Sequence, residues 1–287
     1  MGEVAQPPFP RIAVVGLGLI GGSIAFAARR AWPATHVVAI DREPVLKEAV
    51  ARLMQREFGV ALDPVTEVNH CIGSKSALSI LPACFINPGD VTLMTVPGYP
   101  VAGTHTTFYG GVVYKLPLLA ENDFFPDLDA IPADIARQAK LLVLCYPNSP
   151  TGKTATPEFY ERAIAFARRH EVVIIQDAAH GFLSFDREPN SFLAVPGAKE
   201  VGVEVHSLSK GFNMIGWRMA FVAGQRKIVQ AFADVKADGW LADYVLWSHQ
   251  MSAMASLQST ATEGLLAARE TGPVADIARR LLALAAF

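Results

Sequence analysis

Short apolar runs closed by glycine, proline or an acid recur along the chain, and the intervals between them carry apolar residues at helical spacing. After Pro7, Pro8 and Pro10, residues 12–15 form one such run, ending in glycines. A helical pattern over residues 19–30 leads to a second run, residues 36–40, closed by Asp41. Strand, helix and strand within about thirty residues is the size of a βαβ unit. Pro44 opens another helix, with Val45, Ala49, Leu53 and Phe58 near one face and Gly59 stopping it.

Beyond it the pattern predicts helices over residues 75–85, 132–140 and 157–170, and strands over 91–95, 112–116, 141–145, 172–176, 201–206 and 217–223. Such alternation implies an α/β fold: a mostly parallel sheet with helices on both faces. From Arg226 onward only helical spacing remains, with Met251, Met254, Leu257, Leu265 and Leu266 after Trp240. Core or dimer packing is the default reading of that apolar stripe. The chain therefore divides into a Rossmann-like βαβ unit at 1–43, a large α/β domain at 44–238 and a helical segment at 239–287.

Composition narrows the function classes. Among 287 residues, 51% are hydrophobic and 18% charged, which excludes a disordered or collagen-like chain. Twenty-five Lys+Arg against 27 Asp+Glu leave a charge of −2, so nucleic acid is not an expected partner. Cys71, Cys84 and Cys145 are odd in number and widely spaced, which fits neither a disulfide framework nor a CxxC metal site and suggests a reducing cytoplasm. Residues 12–28 are uncharged and end in Ala-Phe-Ala, as a secretion signal can, but glycines interrupt them and they are short for a membrane span. No membrane association is expected.

The chemistry concentrates at strand ends. Lys210 lies in His206-Ser207-Leu208-Ser209-Lys210 after an apolar strand, with Arg218 beyond a turn region bounded by Gly211 and Gly216. Alone, it reads as a solvated loop lysine. A lysine that forms a Schiff base with a phosphate-bearing aldehyde, however, needs hydroxyls and an arginine nearby, because Arg binds phosphate bidentately and Ser supplies short hydrogen bonds. Asp177 follows the run at 172–176, where open α/β sheets bind ligands; it reads either as a cap of the next turn or as an acid held against a pyridinium nitrogen. Tyr99, in Pro97-Gly98-Tyr99-Pro100, offers a ring for stacking, and Gly73-Ser74-Lys75 opens a helix whose amides suit a phosphate.

In this order, Phe58-Gly59-Val60, Ile72-Gly73-Ser74-Lys75, Pro88-Gly89-Asp90, Pro97-Gly98-Tyr99-Pro100, Pro150-Thr151-Gly152, Asp177 and Ser207-Leu208-Ser209-Lys210 with Gly216-Trp217-Arg218 form a specific set. Over residues 45–237 the chain resembles the class I aminotransferases of fold type I, and its wording is closest to the LL-diaminopimelate aminotransferase branch. The resemblance implies a pyridoxal 5'-phosphate enzyme moving an amino group between an amino acid, dicarboxylic or neutral, and a 2-oxo acid, as a homodimer. It implies Lys210 as Schiff-base lysine and proton shuttle, Asp177 as partner of the pyridinium nitrogen and Tyr99 as the stacking ring. Ser74, Lys75, Ser207 and Arg218 would hold the phosphate, and Ser209 is a further cofactor-binding candidate.

Two positions depart from the family pattern. The asparagine before Pro-Thr-Gly is Ser149, with Asn148 one residue earlier, and the tyrosine three residues after the aspartate is His180. All three are candidates to bond the cofactor's phenolic oxygen. The family's small domain and its arginine for the substrate carboxylate have no match in the sequence after Lys210, where Arg226, Arg269, Arg279 and Arg280 occur, so weak turnover is expected. At the other end, Gly16-Leu17-Gly18-Leu19-Ile20-Gly21 with Asp41 resembles the Rossmann start of prephenate dehydrogenases. Two alternatives follow: an NAD(P)-dependent dehydrogenase-like protein, and a non-catalytic scaffold that keeps only the fold.

Overall fold

The computed structural model describes residues 11–15, 36–40, 43–183, 190–215 and 218–237. The predicted helix at 19–30, the glycine loop Gly16, Gly18 and Gly21, Asp41, the helical segment 239–287 and Arg269, Arg279 and Arg280 lie outside them. Contacts divide the chain into two compact units, Met1–Val235 and Lys236–Phe287. The first holds all that follows except the last two residues of the final helix.

β1 (Arg11–Val15) and β2 (His36–Ile40) form a parallel pair, with Val15 opposite Ile40. A seven-stranded sheet then runs through β3 (Val68–Ile72), β4 (Val91–Val96), β5 (Val112–Pro117), β6 (Ala139–Cys145), β7 (Val173–Ala178), β8 (Gly202–Ser207) and β9 (Met219–Gly224). Their order is β3-β9-β8-β7-β6-β4-β5, parallel except for β9, which pairs antiparallel with both β3 and β8. The strands of β6 and β7 are buried on both sides, as parallel strands covered by helices must be.

Alternation along the strands assigns the helices to the two faces. Leu142, Leu144, Ile174 and Phe221 share a core with α1 (Glu43–Phe58), α4 (Ala133–Gln138), α5 (Pro157–His170) and α6 (Ala198–Val201). On the other face Thr92 bonds Thr106 of α3 (Val101–Phe108) through their hydroxyls at 2.8 Å. α2 (Ser74–Phe85) contacts α3, and α8 (Arg226–Ala237) buries Ile228, Val229 and Phe232. Each fully buried aliphatic side chain contributes about 2 kcal/mol, and β6 alone supplies four such residues at Leu141, Leu142, Val143 and Leu144.

α5 shows the local logic. Thr156 accepts the Phe159 N–H at 3.3 Å, Pro157 takes the first position where no N–H is needed, and Arg168, Arg169 and His170 face the negative end. Phe159, Tyr160, Ala163, Ile164 and Ala167 form its buried stripe.

The elements differ from the sequence pattern where that pattern is polar. β3, with Asn69 and His70 among its five residues, closes one edge of the sheet and was not predicted as a strand. α3 carries a glycine and three threonines, weak helix formers that hold only because Thr106 and Ala102 pack inward. The helix predicted over 132–140 ends at Gln138, because Lys140 already belongs to β6. β7 extends to Ala178, so Asp177 sits inside the strand's last turn of pleat rather than after it.

Candidate active site

Because β3, β4, β6, β7 and β8 are parallel, their carboxyl ends lie along one edge, and antiparallel β9 begins at that same edge. Each continuation is polar. β3 leads to Gly73 and the start of α2, β4 to the Tyr99 loop, β6 to Ser149, β7 to the turn bearing His180, and β8 to α7 (Leu208–Gly211) with Lys210. Ser74, Lys75, Tyr99, Ser149, Asp177, His180, Ser207, Ser209, Lys210 and Arg218 line one cavity of about 300 Å³. Ten predicted residues, scattered over 145 positions of sequence, are thereby brought together.

Asp177 is 4% exposed, and its Oδ1 accepts one backbone N–H, from Ala179, at 3.1 Å. Burial pushes its carboxyl up to about 6, against smaller downward pulls from that N–H and from His206. The Tyr99 phenol is raised by burial and by the Asp177 charge, with Arg218 opposing. His180, half-buried, is lowered by burial and then by the charge of Lys210. These shifts tie the groups into one electrostatic site.

The phosphate end is built on Gly73. It caps α2 with φ +75, and a Cβ there would stand 2.2 Å from Arg218 Nη2. Only glycine lets the guanidinium lie against the amino end of a helix, where unpaired N–H groups and the dipole already favour an anion. Ser207 caps α7 by accepting the Ser209 N–H at 3.2 Å, while Ser209 Oγ is buried with no hydrogen-bond partner among the described residues. An orphaned hydroxyl beside Lys75, Arg218 and a helix N-terminus fits a phosphate group. A buried acid on the same wall, with no cation bonded to it among the described residues, fits a protonated ring nitrogen. The donor set thus suits pyridoxal phosphate.

Asn148 is corrected by the structure. It is 3% exposed, does not line the cavity, donates to the Pro97 carbonyl at 3.2 Å and accepts from Thr151 Oγ1 at 2.9 Å. Its amide braces two loops, and of the three candidates Ser149 and His180 stand on the cavity wall. Arg226 begins α8 at the far end of antiparallel β9, away from Lys210. Cys145, the last residue of β6 and the register partner of Asp177, lines the cavity and was not anticipated; its place at a strand end was the available signal. Burial, then the Asp177 charge, raises its thiol to about 12, which makes it an inert wall.

A family model described as aminotransferase class I and II matches residues 33–270. The chain belongs to that family. It is 59% identical over 192 residues to an LL-diaminopimelate aminotransferase of Methanocaldococcus jannaschii, covering 67% of this chain and 46% of the relative. A substrate-bound BacF structure from Bacillus subtilis superposes with TM-score 0.66 at 38% identity, over 79% of this chain and 61% of that one. An aminotransferase structure from Staphylococcus aureus gives TM-score 0.67 at 29% identity, over 93% and 76%. The chain spans about half the length of the curated relatives it matches. None of these similarities supports the dehydrogenase alternative.

Two outcomes follow from this geometry. An acid with a higher pKa folded than unfolded loses the folded state stability as pH rises, here from 3.8 to about 6, by about 3 kcal/mol in full. Asp177→Asn should therefore raise the melting temperature of cofactor-free protein most at pH 8 and about half as much at pH 5, while weakening pyridoxal phosphate binding; equal gains at both pH values would refute the buried charge. Gly73→Ala should cost about 1 kcal/mol in chain stability for its positive φ. It should also weaken cofactor binding about tenfold or more by displacing Arg218, as a fluorescence titration would measure.

Proposed function

We propose that this chain forms the cofactor-binding part of a pyridoxal-phosphate-dependent aminotransferase that moves an amino group between an amino acid and a 2-oxo acid. The observation that carries it is the convergence of Lys210, buried Asp177 and the Gly73–Arg218 cradle on one cavity. The names of the relatives support a dicarboxylic amino donor. A homodimer in the cytoplasm belongs to the same proposal, supported by the family and by three thiols that are all free. No described helix is long and apolar enough to cross a membrane.

Pyridoxal phosphate, when bound, supplies an aldehyde for an amine and a ring that accepts the electron pair left when the substrate's Cα–H bond breaks. The protein's part is binding, orientation and proton movement. Ser74, Lys75, Ser207, Ser209 and Arg218 would hold the phosphate. Asp177, poised near neutrality by its burial, gains as an anion once a protonated ring nitrogen faces it, so it would keep that proton in place. Tyr99 would offer its aromatic face, and Ser149 and His180 would donate to the phenolic oxygen. Lys210 Nζ would take the proton from Cα and return it elsewhere, for which it must lose its own proton; His180 is the nearby group that feels its charge.

Arg218 is the only arginine lining the cavity among the described residues, and the phosphate site uses it. The cofactor should consequently bind better than turnover runs, since a bidentate carboxylate clamp supplies orientation as well as affinity. Pyridoxal phosphate added to purified protein should give a visible absorbance band that Lys210→Ala lacks. A panel of amino acids in single-turnover mode should bleach that band slowly and with little selectivity. No band in the wild-type protein would end this reading, and fast bleaching by one donor at low concentration would show that a carboxylate clamp exists.

A further inference from the structure

A second polar cluster lies across the sheet from the cavity. In register, Asp177 pairs with Val205, whereas Gln176 pairs with Glu204 and Ala178 with His206, so Glu204 and His206 point to the α1 and α5 face. Both are 1% exposed. The Glu204 carboxylate receives three hydrogen bonds: Ser191 Oγ at 2.7 Å, the Phe192 N–H at 2.6 Å and His206 Nε2 at 2.9 Å. A carboxylate only accepts, so Nε2 carries the hydrogen, and His206 Nδ1 is buried without a hydrogen-bond partner among the described residues.

The imidazole is caged by rings. It stacks on Phe221 at 4.9 Å and 20°, and it contacts Phe182 at 5.3 Å and Phe58 at 5.6 Å. Phe182 is two residues beyond His180, and a Cβ on Gly181 would stand 3.5 Å from His206 Cε1. Ser191 and Phe192 belong to the same β7-to-β8 connection, farther along it. Both parts of that connection are therefore tied to β8, the strand that runs directly into Ser207 and Lys210. Such buried hydrogen-bonded networks favour one arrangement of the elements they join.

We propose that Glu204 and His206 act as a buried positioning pair for the site: they lock the β7-to-β8 connection onto the strand delivering Lys210 and hold His180 on the cavity wall. This role rests on the proposed cofactor chemistry. The pull of His206 on the Asp177 carboxyl agrees with it. The ionisable groups around the pair are Tyr160 from α5, Asp177 from β7 and Cys145 beside it, while Lys210 itself faces His180.

The test uses the pyridoxal-phosphate-loaded protein, reading the pH midpoint of its visible band, the cofactor Kd and the melting temperature. Glu204→Gln keeps the shape and one acceptor, for the Phe192 N–H, but puts an NH2 where the other oxygen met Ser191 and His206, and removes a negative charge. Loss of the bond to His206 loosens the connection that carries His180, so the midpoint should shift by at least about threefold in the proton dissociation constant. His206→Phe fits the aromatic cage but deletes the Nε2 donor, and it should weaken cofactor binding about tenfold, with His206→Gln recovering most of the loss. If His206→Phe does not fold, Glu204→Gln decides alone. A lower melting temperature with unchanged midpoint and Kd would reduce the pair to packing and overturn the role. A wild-type protein without any band would overturn the functional reading, and this role with it.

Discussion

A carboxylate held out of water at the end of β7, with one backbone N–H for company, sets the terms of the whole site. Burying Asp177 opposes its ionisation, and its carboxyl rises to about 6. An isolated buried charge is normally avoided, either by a partner or by protonation. Among the described residues its donor is the Ala179 N–H, and the cationic groups Lys75, Lys210 and Arg218 line the same cavity. The arrangement waits for a cation between them. A protonated pyridine ring with a phosphate at its other end matches both poles of the cavity.

The sheet makes that polarity possible. Parallel strands buried on both faces are rigid, and their carboxyl ends must turn into solvent together, so five connections and the start of β9 deliver polar groups to one edge. Rigidity extends outward from there. Asn148 ties the loop after β6 to the loop after β4, Glu204 and His206 tie the β7-to-β8 connection to β8, and Gly73 admits Arg218 against α2. Binding energy is then spent on the ligand rather than on ordering the walls, which is the physical content of a preorganised site.

The sequence made most of this legible for one reason: apolar runs end where the chemistry begins. Lys210, Asp177, Tyr99 and Ser149 each follow a strong strand pattern within a few residues, so both the strand and the residue could be found together. Polar or small residues hid the rest. β3 and α3 owe their form to neighbours, Asn148 looked like a ligand donor until its amide was seen to be bonded to other loops, and Val203-Glu204-Val205-His206 alternates like a strand with one wet face. In the fold that face is dry, because Glu204 and His206 satisfy each other across 2.9 Å. Alternation reports polarity, and pairing decides burial.

The account stands or falls on which amine the cofactor meets. Incubating the protein with pyridoxal phosphate, reducing with borohydride and mapping the modified peptides by mass spectrometry addresses that directly. Modification confined to Lys210, at one group per chain, is the predicted result. Modification centred on Lys75 or Lys153, or spread over several surface lysines, would contradict the site described here.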